Sequence, residues 1–142
     1  FWFPCFGWFL WKVGMIGIDR SGGASALKGM VQQARKWLAA GRVIIIFPQG
    51  TRTAPGAERS YLPGVAALYM QCGVPVVPVA LNSGQFWPRR QIAKRSGTII
   101  VEYLPPIQPG LSRRDFMATL EDRIETASRR IEAEGAAQLA AR

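Results

Sequence analysis

The sequence predicts an α/β fold, in which helices alternate with the strands of a buried sheet. Residues 43–47 and 76–81 are nearly continuous runs of apolar and mostly β-branched side chains, which is typical of strands buried on both faces. Stretches with apolar residues at helical spacing separate and follow these runs. Because 142 residues that are 49% hydrophobic suffice for one core, we expect a single domain over residues 1–142.

The first part of the chain supplies an aromatic segment, a short strand and a helix. Residues 1–11 contain four Phe and three Trp but are shorter than the ~20 apolar residues of a transmembrane helix. We expect this segment to lie at a bilayer interface, where Trp is favoured; packing on the domain is the alternative. In residues 14–20 the apolar side chains of Ile16 and Ile18 alternate with other residues, which predicts a strand that ends at Arg20. Helical spacing after Leu27 predicts a helix that stops at Gly41.

The second part continues with a polar loop over residues 49–63 and a short helix over residues 64–71 that ends at Gly73. Within the strand at 76–81, Pro78 lacks an N–H group and therefore predicts a sheet edge or a bulge. A third strand is expected at 98–103. A capping box then opens a last helix, and from Gly135 onward we expect the chain to fray. The capping residues are Ser112 and Asp115, and the core stripe is Phe116, Leu120, Ile124, Ala127 and Ile131.

Charge and one missing residue type limit the chemistry. The chain has 18 Lys plus Arg against 9 Asp plus Glu, a net charge of +9 that favours anionic partners: phosphates, anionic lipids, nucleic acid or an acidic carrier protein. A solvated basic surface without a partner is the alternative. The chain contains no histidine, which excludes Ser-His or Cys-His catalysis and His-containing metal sites within it. We therefore expect neither a catalytic base nor a metal site in these residues.

The strongest candidate site is the turn that follows the predicted strand at 43–47. Gly50 lets backbone N–H groups approach an anion, Thr51 adds a hydroxyl group, and the planar guanidinium of Arg52 can bind two phosphate oxygens. Arg20 follows another predicted strand, so the two arginines could bracket one phosphate. A strand-exit turn with Arg52 paired to a carboxylate, and a surface salt bridge at Arg20, are the alternatives.

Three blocks in order resemble the 1-acylglycerol-3-phosphate acyltransferase family: GMIGIDR at 14–20, FPQGTR at 47–52 and VPVVPV at 74–79. The similarity covers nearly the whole chain, and FPxGTR after a strand is a specific motif. The resemblance implies a glycerol-phosphate acyltransferase-like sheet flanked by helices. The family's first block, HxxxxD, which carries its catalytic base, is absent, so we expect an N-terminally truncated and inactive fragment.

The resemblance further implies acyl transfer from acyl-CoA or acyl-carrier protein to the free hydroxyl of a lysophospholipid, lysophosphatidate being converted to phosphatidate. No cofactor is implied, and the expected location is the cytoplasmic face of the cell membrane. Arginines of the second and third blocks would hold the phosphate, and the fourth block would shape the acyl and substrate pocket. The implied substrate-binding residues are Arg20, Gln49, Gly50, Thr51, Arg52, Val76 and Pro78.

Two departures from the family pattern keep other functions open. Gln49 stands where Glu is most frequent, and Leu62 stands where Lys is frequent, which allows another acceptor such as a lyso-ornithine lipid. The absence of histidine is also compatible with a non-catalytic domain of the same fold that binds lipids or membranes. Nucleic-acid binding is supported by charge alone, since no recognition motif accompanies it, and we expect no nucleic-acid partner.

Overall fold

A computed structural model describes residues 4–17, 23–57, 60–88 and 91–140. Helices and a small sheet are both present, so the predicted mixture of α and β structure is confirmed. The elements in chain order are α1 (Pro4–Lys12), α2 (Gly23–Ala39), α3 (Pro63–Cys72), β1 (Val79–Leu81), α4 (Ser83–Phe86), β2 (Val101–Tyr103) and α5 (Arg113–Ala140).

The chain divides into two compact units, Phe1–Ile45 and Ile46–Arg142, so the single domain expected from the sequence stays a prediction. The first unit contains α1 and α2. Helix α2 ends as predicted: Gly41 has a φ of 74° and donates its N–H to the Leu38 carbonyl at 2.9 Å. This left-handed closure satisfies carbonyls that the helix leaves without an internal donor.

In the second unit, β1 and β2 form an antiparallel pair in which Val79 lies opposite Tyr103. A separate bridge joins Val76 to Ile107. Between these two pairs, residues 77–78 lie opposite residues 104–106, so one strand carries an extra residue. Pro78 lies in this bulge and has no N–H to offer, but its carbonyl accepts the N–H of Leu104 at 2.9 Å. The irregularity at Pro78 agrees with the bulge that was one of the two predicted alternatives, although the extra residue lies on the opposite strand.

The predicted sheet of doubly buried strands is wrong for the residues that the structure describes. Residues 43–47 form no strand, and Val43, Ile45 and Phe47 are 85%, 82% and 71% exposed. The run at 76–81 is reduced to β1 and the Val76 bridge, with Val77 exposed. A β-branched run is buried on both faces only where strands flank it and layers cover both sides. The described β1–β2 pair has α5 on one face, where Ala80 is buried.

The predicted strand at 14–20 has no counterpart in its described part, since residues 15–17 are not in a strand. Residues 18–20, and with them Arg20, lie outside the described residues. The strand predicted at 98–103 is shorter than expected and covers only β2.

Helix α5 organises two core clusters of the second unit. Its predicted cap is confirmed: the Asp115 N–H donates to Ser112 Oγ at 3.1 Å, and that hydroxyl donates to Asp115 Oδ2 at 2.7 Å. The predicted core stripe is also confirmed, with Ile124 half-buried and the other four residues buried. The first cluster contains Tyr61, Val65, Ala66, Tyr69, Ile107, Phe116 and Leu120; the second contains Ala80, Ala127 and Ile131.

The expectation that the chain frays from Gly135 is wrong, because α5 continues to Ala140 and Gly135 is buried. The amide of Asn82 donates to the Ile131 carbonyl at 3.3 Å, and that of Gln85 donates to the Glu132 carbonyl at 2.8 Å. A Cβ on Gly135 would collide with the Gln85 side chain. The missing side chain therefore lets two amides reach the helix backbone, and these contacts hold the C-terminal part of α5.

Candidate functional site

The FPQGTR segment forms a tight turn in which the Gly50 N–H donates to the Phe47 carbonyl at 2.9 Å. Gly50 has a φ of +65°, a conformation that L side chains rarely adopt. A Cβ at this position would also collide with Cδ1 of Leu62. The turn therefore requires glycine for two independent reasons, and Leu62 fills the space beside it.

The turn belongs to the 48–62 loop, of which residues 48–57 and 60–62 are described, and a hydrogen bond joins the two ends of this loop. The Leu62 N–H donates to the Pro48 carbonyl at 2.8 Å. The neighbouring Tyr61 is 8% exposed and belongs to the first core cluster. Its hydroxyl donates to Oε1 of Glu125 on α5 at 2.8 Å. The 48–62 loop is thus attached to the longest helix of the chain.

Four of the predicted site residues lie together in this loop. Gln49 and Thr51 are half-buried, and the Thr53 hydroxyl donates to Oε1 of Gln49 at 2.7 Å. The amide oxygen of Gln49 is thus engaged inside the loop. Arg52 is exposed, and among the described residues none forms a hydrogen bond or an ion pair with its guanidinium group. An exposed fork beside a glycine turn can bind an oxyanion such as a phosphate.

The other predicted site residues lie elsewhere. Val76 is half-buried and packs against the first core cluster, and Pro78 is fully buried beside the sheet bulge. Their contacts account for packing, and their role in shaping a substrate pocket stays a prediction. Arg20 lies outside the described residues, so the bracketing of one phosphate by two arginines also stays a prediction.

An open cleft of about 440 Å³ borders the 48–62 loop. Ala54 and Pro55 line it from the loop, Gly84 and Gln85 from α4, and Leu139 from α5. Among its described lining residues Arg95 carries the one charge, so this cleft provides no carboxylate that could act as a base.

Two carboxylates on α5 that sequence reasoning missed face the 48–62 loop. Burial and the Glu125 carboxylate raise the pKa of Tyr61. Burial also raises the pKa of Glu132, and the neighbouring Glu125 charge adds to this, whereas the backbone N–H of Gly56 acts in the opposite direction. Glu125 lies 64 residues beyond Tyr61, and no local pattern links the two positions. The single hint is that Glu125 directly follows the core residue Ile124.

Replacing Glu132 by Gln is expected to stabilise the protein increasingly as the pH rises. Below the ordinary Glu value of 4.5 the carboxyl is protonated whether the chain is folded or unfolded. As the pH rises through the raised pKa of the folded state, the wild type loses stability because a half-buried group becomes charged. Glu132→Gln avoids this loss. Urea unfolding between about pH 4 and 7 measures the difference.

The variant Glu121→Gln, on an exposed turn of α5, controls for the simple loss of an acidic side chain. If Glu132→Gln were equally or less stable than the wild type near pH 7, burial would not be the dominant influence on this carboxyl group.

Helix α1 presents aromatic and basic side chains to solvent. Trp8 and Phe9 are each 58% exposed, and Nζ of Lys12 lies 4.2 Å from the centroid of the Trp8 ring. Among the described residues, no helix combines the length and the apolar character needed to cross a bilayer.

Comparison with known proteins gives consistent relatives. The sequence model of the Acyltransferase family matches residues 1–82. The chain is 38% identical over 122 residues to 1-acyl-sn-glycerol-3-phosphate acyltransferase of Pseudomonas aeruginosa, covering 86% of this chain and 48% of that protein. The alpha form of Ovis aries is 31% identical over 115 residues (80% and 40%), and the protein of Limnanthes alba is 33% identical over 107 residues (75% and 38%).

The chain thus spans less than half the length of these curated relatives. No solved structure matches it significantly.

Proposed function

This chain belongs to the acyltransferase family, and we propose that its protein transfers a fatty acyl group to the free hydroxyl of 1-acylglycerol-3-phosphate, which yields phosphatidate. One observation carries the proposal: the FPQGTR turn, whose shape requires the positive φ of Gly50, presents the exposed guanidinium group of Arg52, which can bind an oxyanion. The named relatives, from a bacterium, a mammal and a plant, support the same reaction.

In this proposal Arg52 binds the phosphate of the acceptor and thereby places its hydroxyl group. The hydroxyl oxygen attacks the carbonyl carbon of an acyl thioester, either acyl-CoA or acyl-carrier protein, and the thiolate leaves as the ester forms. A base takes the hydroxyl proton, and the thiolate is protonated. Because the chain has no histidine, the imidazole that the family resemblance implies must come from outside these 142 residues. What this part supplies is binding and orientation.

The lipid acceptor makes a membrane surface the expected place of reaction. We propose that the protein lies peripherally on the cytoplasmic face of the cell membrane. The exposed Trp8 and Phe9 beside Lys12 support this location, since aromatic and cationic side chains together favour the headgroup region. The net charge of +9 adds attraction to anionic lipids.

An acyl-transfer assay with the whole protein tests the proposal. The basic experiment supplies lysophosphatidate in vesicles, offers acyl-CoA or acyl-carrier protein as alternative donors, and detects phosphatidate. A parallel series replaces lysophosphatidate by a lyso-ornithine lipid, because Leu62, where a Lys is frequent, covers Gly50.

Formation of phosphatidate supports the proposal. Acylation of the lyso-ornithine lipid alone would contradict the proposed acceptor. Binding of the protein to the vesicles without any acyl transfer would favour the second candidate, a non-catalytic lipid-binding domain.

A further inference from the structure

We infer that Tyr61 and Glu125 are positioning residues for Arg52: their hydrogen bond fixes the 48–62 loop so that the guanidinium group faces the acceptor phosphate. This inference rests on the proposed function, since it assigns to two residues the task of ordering its phosphate-binding loop.

Tyr61 attaches the 48–62 loop to α5. The hydroxyl of Tyr61 donates to Glu125 Oε1 at 2.8 Å, while the Tyr61 ring is buried in the first core cluster with Phe116 and Leu120 of the same helix. A hydrogen bond to a carboxylate in a partly buried place is stronger than one between neutral groups in water. The end of the loop is therefore held by both packing and polar contact.

Leu62 connects the attached residue Tyr61 to the glycine turn. Leu62 follows Tyr61 directly, and its N–H donates to the Pro48 carbonyl at 2.8 Å. The side chain of Leu62 occupies the space beside Gly50, two residues before Arg52. A displacement of Tyr61 would therefore move the base of the turn from which the arginine projects.

The loop has a second attachment on the other side of Arg52, at Pro55. Pro55 lies against Gly84 of α4, so close that a Cβ on Gly84 would be 3.4 Å from the proline ring. Arg52 thus lies between two attached segments of the loop. Such attachment lowers the conformational entropy that phosphate binding would otherwise cost.

Equilibrium binding of lysophosphatidate to the whole protein, without any acyl donor, tests the inference independently of catalysis. Tyr61→Phe keeps the ring in the core and removes only the hydroxyl, and Glu125→Ala removes the acceptor. Each change is expected to raise the Kd about 3- to 10-fold, the effect of one lost hydrogen bond. Glu125→Gln keeps an oxygen that can accept from Tyr61 and is expected to restore most of the affinity. Asp122→Ala, which removes an exposed carboxylate three residues earlier on α5, is the matched control and should leave the Kd unchanged.

A double-mutant cycle with Arg52→Ala separates positioning from general destabilisation. If Tyr61 acts through Arg52, Tyr61→Phe should have little further effect on the Kd once the guanidinium group is absent. Equal losses from Tyr61→Phe with and without Arg52, or an unchanged Kd in Tyr61→Phe and Glu125→Ala, would overturn the inference. The same variants assayed for acyl transfer keep the two questions apart. If the wild-type protein makes phosphatidate but the cycle is additive, the positioning role alone is refuted. If the cycle is non-additive but the protein binds lysophosphatidate without acylating it, the proposed reaction alone is refuted.

Discussion

Phe116→Ala is expected to lower the free energy of unfolding by about 3–5 kcal/mol, the range for truncation of a buried aromatic side chain. Phe116 is 0% exposed in the first core cluster. Its ring stacks on Tyr69 with centroids 3.8 Å apart and planes 5° from parallel. The substitution removes this stacking and leaves a cavity between α3 and α5. The Tyr69 hydroxyl, which donates to the Gln108 carbonyl at 2.6 Å, would lose the ring that holds it in place.

Urea or thermal unfolding of the whole protein measures the effect. Ile92→Ala is a suitable control because Ile92 is 99% exposed, and its truncation should change stability by less than about 0.5 kcal/mol. Phe116→Leu, which keeps most of the volume, should fall between the two. A loss below about 1 kcal/mol for Phe116→Ala would mean that this cluster does not hold the second unit together.

The helices were predictable because their signals are local. A glycine with positive φ ends α2 and α3 at the expected places, Gly41 and Gly73. Ser112 and Asp115 open α5 through contacts within one turn. The apolar stripe of α5 follows from periodicity alone. Each of these features depends on residues within a few positions of one another, so the sequence displays them directly.

The strands were predicted less well because a β-branched run does not specify its neighbours. Residues 43–47 suit a buried strand in composition, yet in the described structure Val43 and Ile45 are largely exposed. Pairing is a non-local property, and no run of side chains states which strand lies beside it. The prediction that the chain frays from Gly135 failed for the same reason. The contacts that hold this part of α5 come from Asn82 and Gln85, about 50 residues earlier.

The candidate site likewise combines local features that the sequence displays with distant contacts that it does not. The glycine turn and Arg52 were predictable because they form one short segment, and the structure gives Gly50 the positive φ that such a turn needs. Its attachment to Glu125 on a helix 64 residues away was not predictable. A motif thus displays groups that lie within one short segment, while their contacts with distant parts of the chain become visible only in the folded chain.

Arg52→Ala is expected to lower kcat/KM for lysophosphatidate about 10- to 150-fold, with little change in stability. This range corresponds to the loss of about 1.5–3 kcal/mol for a hydrogen bond to a charged group. Stability should be preserved because Arg52 is exposed and, among the described residues, has no hydrogen-bond or ion-pair partner. Steady-state kinetics with the whole protein, at saturating acyl donor and varied lysophosphatidate, measure the loss.

Two further variants show why the loss occurs. Arg52→Lys keeps the charge but not the planar fork, so it should recover part of the activity. Arg129→Ala removes an equal charge from an exposed turn of α5 and should leave the kinetics unchanged. If Arg129→Ala were as damaging as Arg52→Ala, general attraction to an anionic surface would explain the loss. Unchanged kinetics in Arg52→Ala would show that the acceptor phosphate is held elsewhere, because an exposed guanidinium group that touched it could not be removed without cost.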